Sequence, residues 1–276
     1  MIPLRDNNPT ATRPVVTIGL IVANAAVFLL AFWQPDHGER AVWTYGFLPA
    51  TVSYSRDDVR EALVKQAGPG VAMVTDARGR VHLVRRPNFA EAATSLPMIA
   101  KLFTCMFMHG GWMHLIGNML YLWIFGNNIE DRLGGPLFLA FYLGTGIVGT
   151  LAHAFIDSAN LTPMVGASGA ISGVLGAYIL LFPHAKVEAL VPLGWYMTTV
   201  MLPAWVFLGI YAAMQLLYGL PQLSHTGGGG TAYWAHLGGF ASGMLLIKLL
   251  PQQRRTRPIP IPAFDDAEDD DAFIRF

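Results

Sequence analysis

Six stretches of the chain are apolar over most of their length, and polar segments divide them: 14–33, 113–129, 136–156, 163–183, 195–219 and 232–250. A helix that crosses a bilayer needs about 20 mostly apolar residues. The pattern therefore predicts six transmembrane helices. The second and sixth are short or polar for free-standing spans, since they carry His114, Asn118 and His236. Within a bundle those side chains can face other helices rather than lipid. The first stretch follows Arg5 and Arg13, as the core of a signal peptide would. Its apolar run is too long for that, and Gln34-Pro35-Asp36-His37 does not resemble a small-residue cleavage site, so it reads as an uncleaved helix.

Composition agrees with a chain solvated by lipid. Of 276 residues, 53% are hydrophobic and 13% charged, against about 25% charged in soluble domains. The formal net charge is zero, which gives no pull toward nucleic acid. Cys105 is the single cysteine, so neither an intrachain disulfide nor a thiolate cluster can form. His109 and His114 lack an acidic or thiol partner, and no zinc site or other cofactor is expected.

Basic residues give a topology. Arg5 and Arg13 precede the first span, Arg132 follows the second, Lys186 follows the fourth, and Lys248, Arg254, Arg255, Arg257 and Arg275 lie at or beyond the end of the sixth. The short loops after the third and fifth spans contain none. Basic residues in short loops mark the cytoplasmic side, so both termini are expected there. The long loop 34–112 carries the other nine basic residues, but long loops translocate largely regardless of charge. Within it, 53–95 is polar, with a hairpin-like alternation over Val71–Val84 around Asp76-Ala77-Arg78-Gly79. Residues 96–112 are apolar and suit the membrane interface. The expected organisation is a cytoplasmic N-terminus (1–13), one six-helix domain (14–250) and a disordered acidic tail (251–276).

No Asp, Glu, Lys or Arg falls in the interior of a predicted span, so the polar residues that do are informative. His114 and Asn118 lie in the second span, Ser168 and Ser172 in the fourth, His236 in the sixth. These spans all start on the outer side, and His114, Ser168 and His236 lie a few residues below those starts, hence at similar depth. Small residues recur every fourth position at Ser168, Ser172 and Gly176, and a similar face carries His236, Gly239 and Gly243. Such stripes let helix backbones approach closely, as a short serine side chain requires to reach an imidazole on another helix. A serine hydroxyl needs a base to become a nucleophile, and histidine is suited to that task near neutral pH. No span offers a carboxylate to orient the histidine, so a Ser168–His236 dyad is expected rather than a triad. His114 and Asn118 share a helix face and can donate to an oxyanion, together with the Ser168 backbone N–H.

These residues resemble the rhomboid family of intramembrane serine proteases. His109, His114 and Asn118 match its His-x4-His-x3-Asn element; Gly126, Glu130 and Gly134 match Gly-x3-Glu-x3-Gly; Gly166-Ala167-Ser168-Gly169 matches the nucleophile motif; Ala235-His236-Leu237-Gly238-Gly239 with Gly243 matches the base motif. The resemblance implies an all-α, six-helix membrane bundle that cleaves single-span or multi-span membrane proteins near the outer face of the bilayer without metal or cofactor. It implies that Ser168 is the nucleophile, His236 the base, and His114 and Asn118 the oxyanion stabilisers. It makes Glu130 a loop-holding residue within a polar cluster of Asn127, Asn128 and Arg132. His109 is left the lesser role of a loop histidine. Some family members carry an aromatic residue where this chain has Ser172, so another group must hold His236 here.

Two other functions are compatible with a polytopic chain. A scaffold that binds membrane clients is disfavoured because every catalytic candidate is present. A proton-relaying transporter is disfavoured because the polar residues do not lie at mid-membrane and no repeat is visible. Gly227–Gly230, just before the sixth span, is expected to act as a mobile cap over the site. A prokaryotic plasma membrane is the expected location.

Overall fold

A computed structural model of the chain describes residues 1–67, 71–75, 81–85, 89–193, 196–223 and 231–253. In chain order the elements are β1 (Ile2–Asp6), α1 (Val15–Phe32), α2 (Glu39–Tyr45), α3 (Arg56–Ala67), β2 (Val71–Thr75), β3 (Val81–Arg85), α4 (Phe89–Thr94), α5 (Met98–Thr104), α6 (Trp112–Tyr121), α7 (Asn127–Leu133), α8 (Gly135–Ile156), α9 (Ser168–Leu181), β4 (Lys186–Leu193), β5 (Tyr196–Pro203), α10 (Ala204–Gly219) and α11 (Tyr233–Leu249). The cap at Gly227–Gly230, the turn at 76–79 and the tail from 254 lie outside the described residues.

Among the described residues, three helical stretches are long and apolar enough to cross a membrane alone: Val15–Phe32, Gly135–Ile156 and Ala204–Leu223. Their outward faces carry exposed apolar side chains, among them Val22 and Leu30 on α1 and Trp205 and Leu217 on α10. Such surface suits lipid and would be costly in water. The protein is a helical, integral membrane protein.

The remaining bundle helices are shorter and more enclosed. In α9 every residue from Gly169 to Tyr178 is buried, as befits a helix apolar on all sides. Its 14 residues span only about 21 Å, less than the roughly 30 Å hydrocarbon core. It is therefore a central, enclosed post of the bundle. α6 and α7 form one helix interrupted by a π-helical turn at Leu122–Gly126, a distortion often found near functional sites.

Two departures from the expected all-α architecture concern the chain ends of spans. The apolar run 195–219 is helical only from Ala204; Tyr196–Pro203 is strand β5, paired in register with β4 from Lys186↔Pro203 to Leu193↔Tyr196. Its run of Thr198, Thr199 and Val200 favours extended backbone, and Pro203 closes the strand. β1 adds to the other edge of β4, so residues of the N-terminal segment are folded as a strand of a three-stranded antiparallel sheet. The fourth predicted span likewise becomes helical only at Ser168. In the long loop, β2 and β3 pair from Val71↔Arg85 to Thr75↔Val81, in line with the expected hairpin.

Glu130 ties the first span to the second. Its carboxylate accepts from the backbone N–H groups of Val16 (2.9 Å) and Thr17 (2.7 Å) and from the Thr17 hydroxyl (2.7 Å). It thus serves the unsatisfied donors at the start of α1, where Pro14 offers no side-chain cap. Asp131 does the same for Ala11 and Thr12.

Asp6 sits beside α7 and the C-terminal part of α9, where its carboxylate accepts from Tyr178 Oη and, at 3.0 Å, from Asn128 Nδ2. Burial pushes its pKa up to about 6 against the hydrogen bonds that oppose the shift. The folded protein therefore holds a proton that the unfolded chain has released by about pH 4. The stabilisation is complete below that pH and lost as pH rises through 6. Protection factors for amide exchange in β1 and β4, taken relative to the intrinsic rate at each pH, should accordingly fall between pH 4 and 7. Asp6→Asn should flatten that dependence, by an amount bounded near 3 kcal/mol. An unchanged pH profile in Asp6→Asn would rule Asp6 out as its source.

Candidate active site

The N-terminal turns of α6, α9 and α11 meet at one end of the bundle. His114 is the third residue of α6, Ser168 the first of α9 and His236 the fourth of α11. All three line a cavity of about 750 Å³, with Asn118 and His153 also on its wall. Among the described residues no Asp, Glu, Lys or Arg lines it.

His236 Nε2 lies 2.8 Å from Ser168 Oγ. This approach depends on backbone contact between the two helices. A Cβ on Gly239 would lie 2.0 Å from the Gly169 carbonyl oxygen, and one on Gly243 2.0 Å from that of Gly173. Both glycines belong to the stripe singled out in the sequence, and α11 packs more extensively on α9 than on any other element.

His236 is held from its other side. Its Nδ1 lies 2.8 Å from Gln215 Oε1 of α10. One turn earlier on α10, Tyr211 Oη is 2.7 Å from Ser172 Oγ, and Ser172 Oγ donates to the Ser168 carbonyl at 2.7 Å. The position where an aromatic residue was missing is thus occupied by a serine that links α10 to the backbone of Ser168.

The third wall is formed by α6 and the loop entering α9. Gly166 has φ +119°, a backbone conformation that favours glycine. A Cβ there would lie 2.6 Å from His114 Nε2 and 3.6 Å from Asn118 Nδ2. Asn118 Nδ2 also lies 3.0 Å from His109 Nε2. An amide nitrogen only donates, so His109 accepts at Nε2, and the second amide N–H of Asn118 remains for another acceptor. His109 is buried, and its ring stands edge-on to His114 at 5.0 Å between centroids. His109 thus lies in the loop before α6, as expected, and in addition accepts from the Asn118 side chain.

Gln215, Tyr211 and His153 were not identified from the sequence. Tyr211 and Gln215 are four apart in an otherwise apolar run, which is a signal that two polar groups share a face. His153, on α8, gave no comparable signal because its neighbours Ala152 and Ala154 say nothing about direction.

A family model described as "Rhomboid domain" matches residues 97–253. The chain is 34% identical over 162 residues to Rhomboid protein 1, mitochondrial, of Saccharomyces cerevisiae, covering 55% of this chain and 43% of that protein. It is 31% identical over 166 residues to RHOMBOID-like protein 5 of Arabidopsis thaliana, covering 59% and 48%. Over a shorter stretch of 79 residues it is 43% identical to Rhomboid protease GluP of Bacillus subtilis, covering 29% and 15%. The chain thus spans about half or less of the length of these relatives. Their mixed origins give no support to a prokaryotic plasma membrane in particular. With its family match running from the segment before α6 to the end of α11, and so over every helix that lines the cavity, the chain belongs to the rhomboid family.

Proposed function

We propose that this chain is an intramembrane serine endopeptidase that cleaves membrane-protein substrates near the outer face of the bilayer. The observation that carries the reading is the 2.8 Å contact between Ser168 Oγ and His236 Nε2, made across two helices inside a cavity. In the reaction, Ser168 Oγ attacks the scissile carbonyl carbon as His236 Nε2 takes the hydroxyl proton. The carbonyl oxygen becomes an oxyanion, which accepts from Asn118, His114 and the N–H of Ser168; all three residues line the cavity. His236 then passes its proton to the leaving amine, and water repeats the sequence on the acyl-enzyme.

Six spans with both termini in the cytoplasm fit this reading, because the basic residues then fall in the inner loops. The site lies at the N-terminal ends of α6, α9 and α11, which that topology assigns to the outer side. A substrate helix has its backbone bonds satisfied internally and must unwind before it is cut. Small or helix-breaking residues near its outer end are therefore preferred.

The test uses the purified protein in detergent with a single-span substrate of that kind and, separately, a small fluorophosphonate. Cleavage in the outer part of the substrate helix and an adduct on Ser168, both located by mass spectrometry, are expected. A folded protein that gains no adduct at Ser168 would overturn the assignment. Asn118→Ala should lower kcat by roughly 10²–10³ with little change in KM, as for the loss of one oxyanion donor. His109→Ala should do the same more weakly. Equal kcat in Asn118→Ala and wild type would remove Asn118 from the oxyanion site.

A further inference from the structure

A histidine that acts as a base through Nε2 must carry its proton on Nδ1. Something has to hold that proton, or the ring spends part of its time in the other tautomer or turned away from the serine. In this bundle no carboxylate does so among the described residues that line the cavity. The group at Nδ1 is the side-chain amide of Gln215, with its oxygen at 2.8 Å. An amide oxygen only accepts, so Nδ1 must be the donor, and Nε2 is left with its lone pair directed at Ser168 Oγ.

We infer that Gln215 is the positioning residue of the catalytic base, so that the site is a Ser168–His236 dyad oriented by Gln215 rather than a bare dyad. The inference rests on reading Ser168 and His236 as nucleophile and base. Three features of α10 support it. First, Gln215 and Tyr211 are its two polar side chains on the face toward the site, one turn apart, and both make hydrogen bonds into the catalytic pair: Gln215 to the base, Tyr211 through Ser172 to the Ser168 carbonyl. Second, the buried residues of α10 are Ala204, Phe207, Leu208 and Gly219. In the turns from Gly209 to Tyr218 the Tyr211 ring packs beside Tyr121 and Phe240, and the hydrogen bonds of Tyr211 and Gln215 join that part of the helix to the catalytic pair. Third, an amide performs this task without placing a charge on a helix whose other faces are apolar. A carboxylate there would carry a desolvation cost of a few kcal/mol, as for ionised side chains within membrane helices. The amide orients the imidazole but supplies no negative charge to stabilise the imidazolium, which distinguishes it from the acid of a soluble serine-protease triad.

The amide must present its oxygen and not its nitrogen. With the nitrogen toward Nδ1 the opposite tautomer would be favoured, and Nε2 would no longer accept the serine proton. The effect of Gln215 is thus on the chemical step and belongs to kcat, not to substrate binding.

The experiment compares wild type, Gln215→Leu and Gln215→Glu as full chains in detergent. It measures kcat and KM on the single-span substrate, and the rate of fluorophosphonate labelling across pH. The small probe reaches Ser168 without a substrate helix passing α10, so it separates positioning from entry. Gln215→Leu is expected to lower kcat and the labelling rate together by roughly tenfold to a hundredfold, a part of the ~10²–10⁴ that a positioned general base contributes. KM should stay near the wild-type value. Gln215→Glu restores an acceptor and should recover labelling well above Gln215→Leu. Its anionic acceptor favours the imidazolium, so the acid limb of its pH–rate profile should lie at higher pH than in wild type. Labelling of Gln215→Leu at the wild-type rate would overturn the inference, whatever happens to substrate cleavage. If Gln215→Leu does not fold, a Gln215→Glu acid limb that coincides with wild type overturns it. Failure of wild type itself to label at Ser168 would instead count against the protease reading.

Discussion

Ser168→Ala and His236→Ala are each expected to lower the cleavage rate by four to six orders of magnitude, on the order of what serine-protease knockouts lose in kcat. The two residues work as one unit. Without the serine, the histidine has no hydroxyl to deprotonate; without the histidine, the hydroxyl remains a poor nucleophile. The double variant Ser168→Ala/His236→Ala should therefore be no slower than either single one. What remains in all three is the contribution of the oxyanion donors and of substrate binding. Adding Asn118→Ala to Ser168→Ala should accordingly erode a small residue, not a large activity. Ser168→Ala leaves the bundle packing in place: Ser168 begins α9 and is half-buried, and its backbone role in the helix survives in alanine. Product formation followed by mass spectrometry over hours gives the range needed. Rates in the double variant that multiply the two single losses would show independent roles and sink the paired mechanism. Full activity in Ser168→Ala would exclude it as the nucleophile.

Lipid made part of this molecule easy to read. A bilayer requires long apolar runs, so α1 and α8 appear in the sequence within one residue of their observed limits. It also makes buried polar groups rare, so Ser168, His236, His114 and Asn118 stand out from the sequence alone. The stretch 186–203 was harder. Val191, Leu193, Val200 and Leu202 are as apolar as a span requires, and overall hydropathy cannot tell a strand there from the start of a helix. What fixes β5 is its pairing with β4, which is itself held on its other edge by β1, some 180 residues away in the chain, and hydropathy reports neither. Gln215 was hidden for a related reason. Its spacing from Tyr211 marks a shared polar face, but which helix that face meets follows only from the rotation of α10 against α11. Glu130 could be assigned a structural task from its motif, but its partners, the first N–H groups of α1, follow only from the packing of the second span on the first.

Gly239→Ala should reduce activity by roughly a hundredfold or more, a loss out of proportion to the one methyl group added. The added Cβ would lie 2.0 Å from the Gly169 carbonyl oxygen and 3.0 Å from its carbonyl carbon. Both are backbone atoms of a buried helix, so no rotamer change relieves the clash. α11 and α9 must separate by more than about 1 Å to restore van der Waals distances. Gly169 adjoins Ser168, and His236 lies one turn before Gly239, so the separation falls where the 2.8 Å contact is made. A displacement of that size at reacting groups costs about 10² in rate. Gly243→Ala meets the Gly173 carbonyl oxygen at the same 2.0 Å, but one turn farther from the site. It should destabilise the bundle to a similar degree, by about 1–3 kcal/mol as for an overpacked core, with a smaller loss of activity. Gly144→Ala and Gly209→Ala serve as controls, because a Cβ at either meets nothing within 4 Å. Both should leave cleavage unchanged and raise helix stability slightly. Thermal midpoints and fluorophosphonate labelling measured on all four separate the two effects. If Gly239→Ala labels at the wild-type rate, close backbone contact is not what brings His236 to Ser168. If Gly243→Ala and Gly239→Ala lose activity equally, the damage is to the bundle as a whole rather than to the catalytic contact.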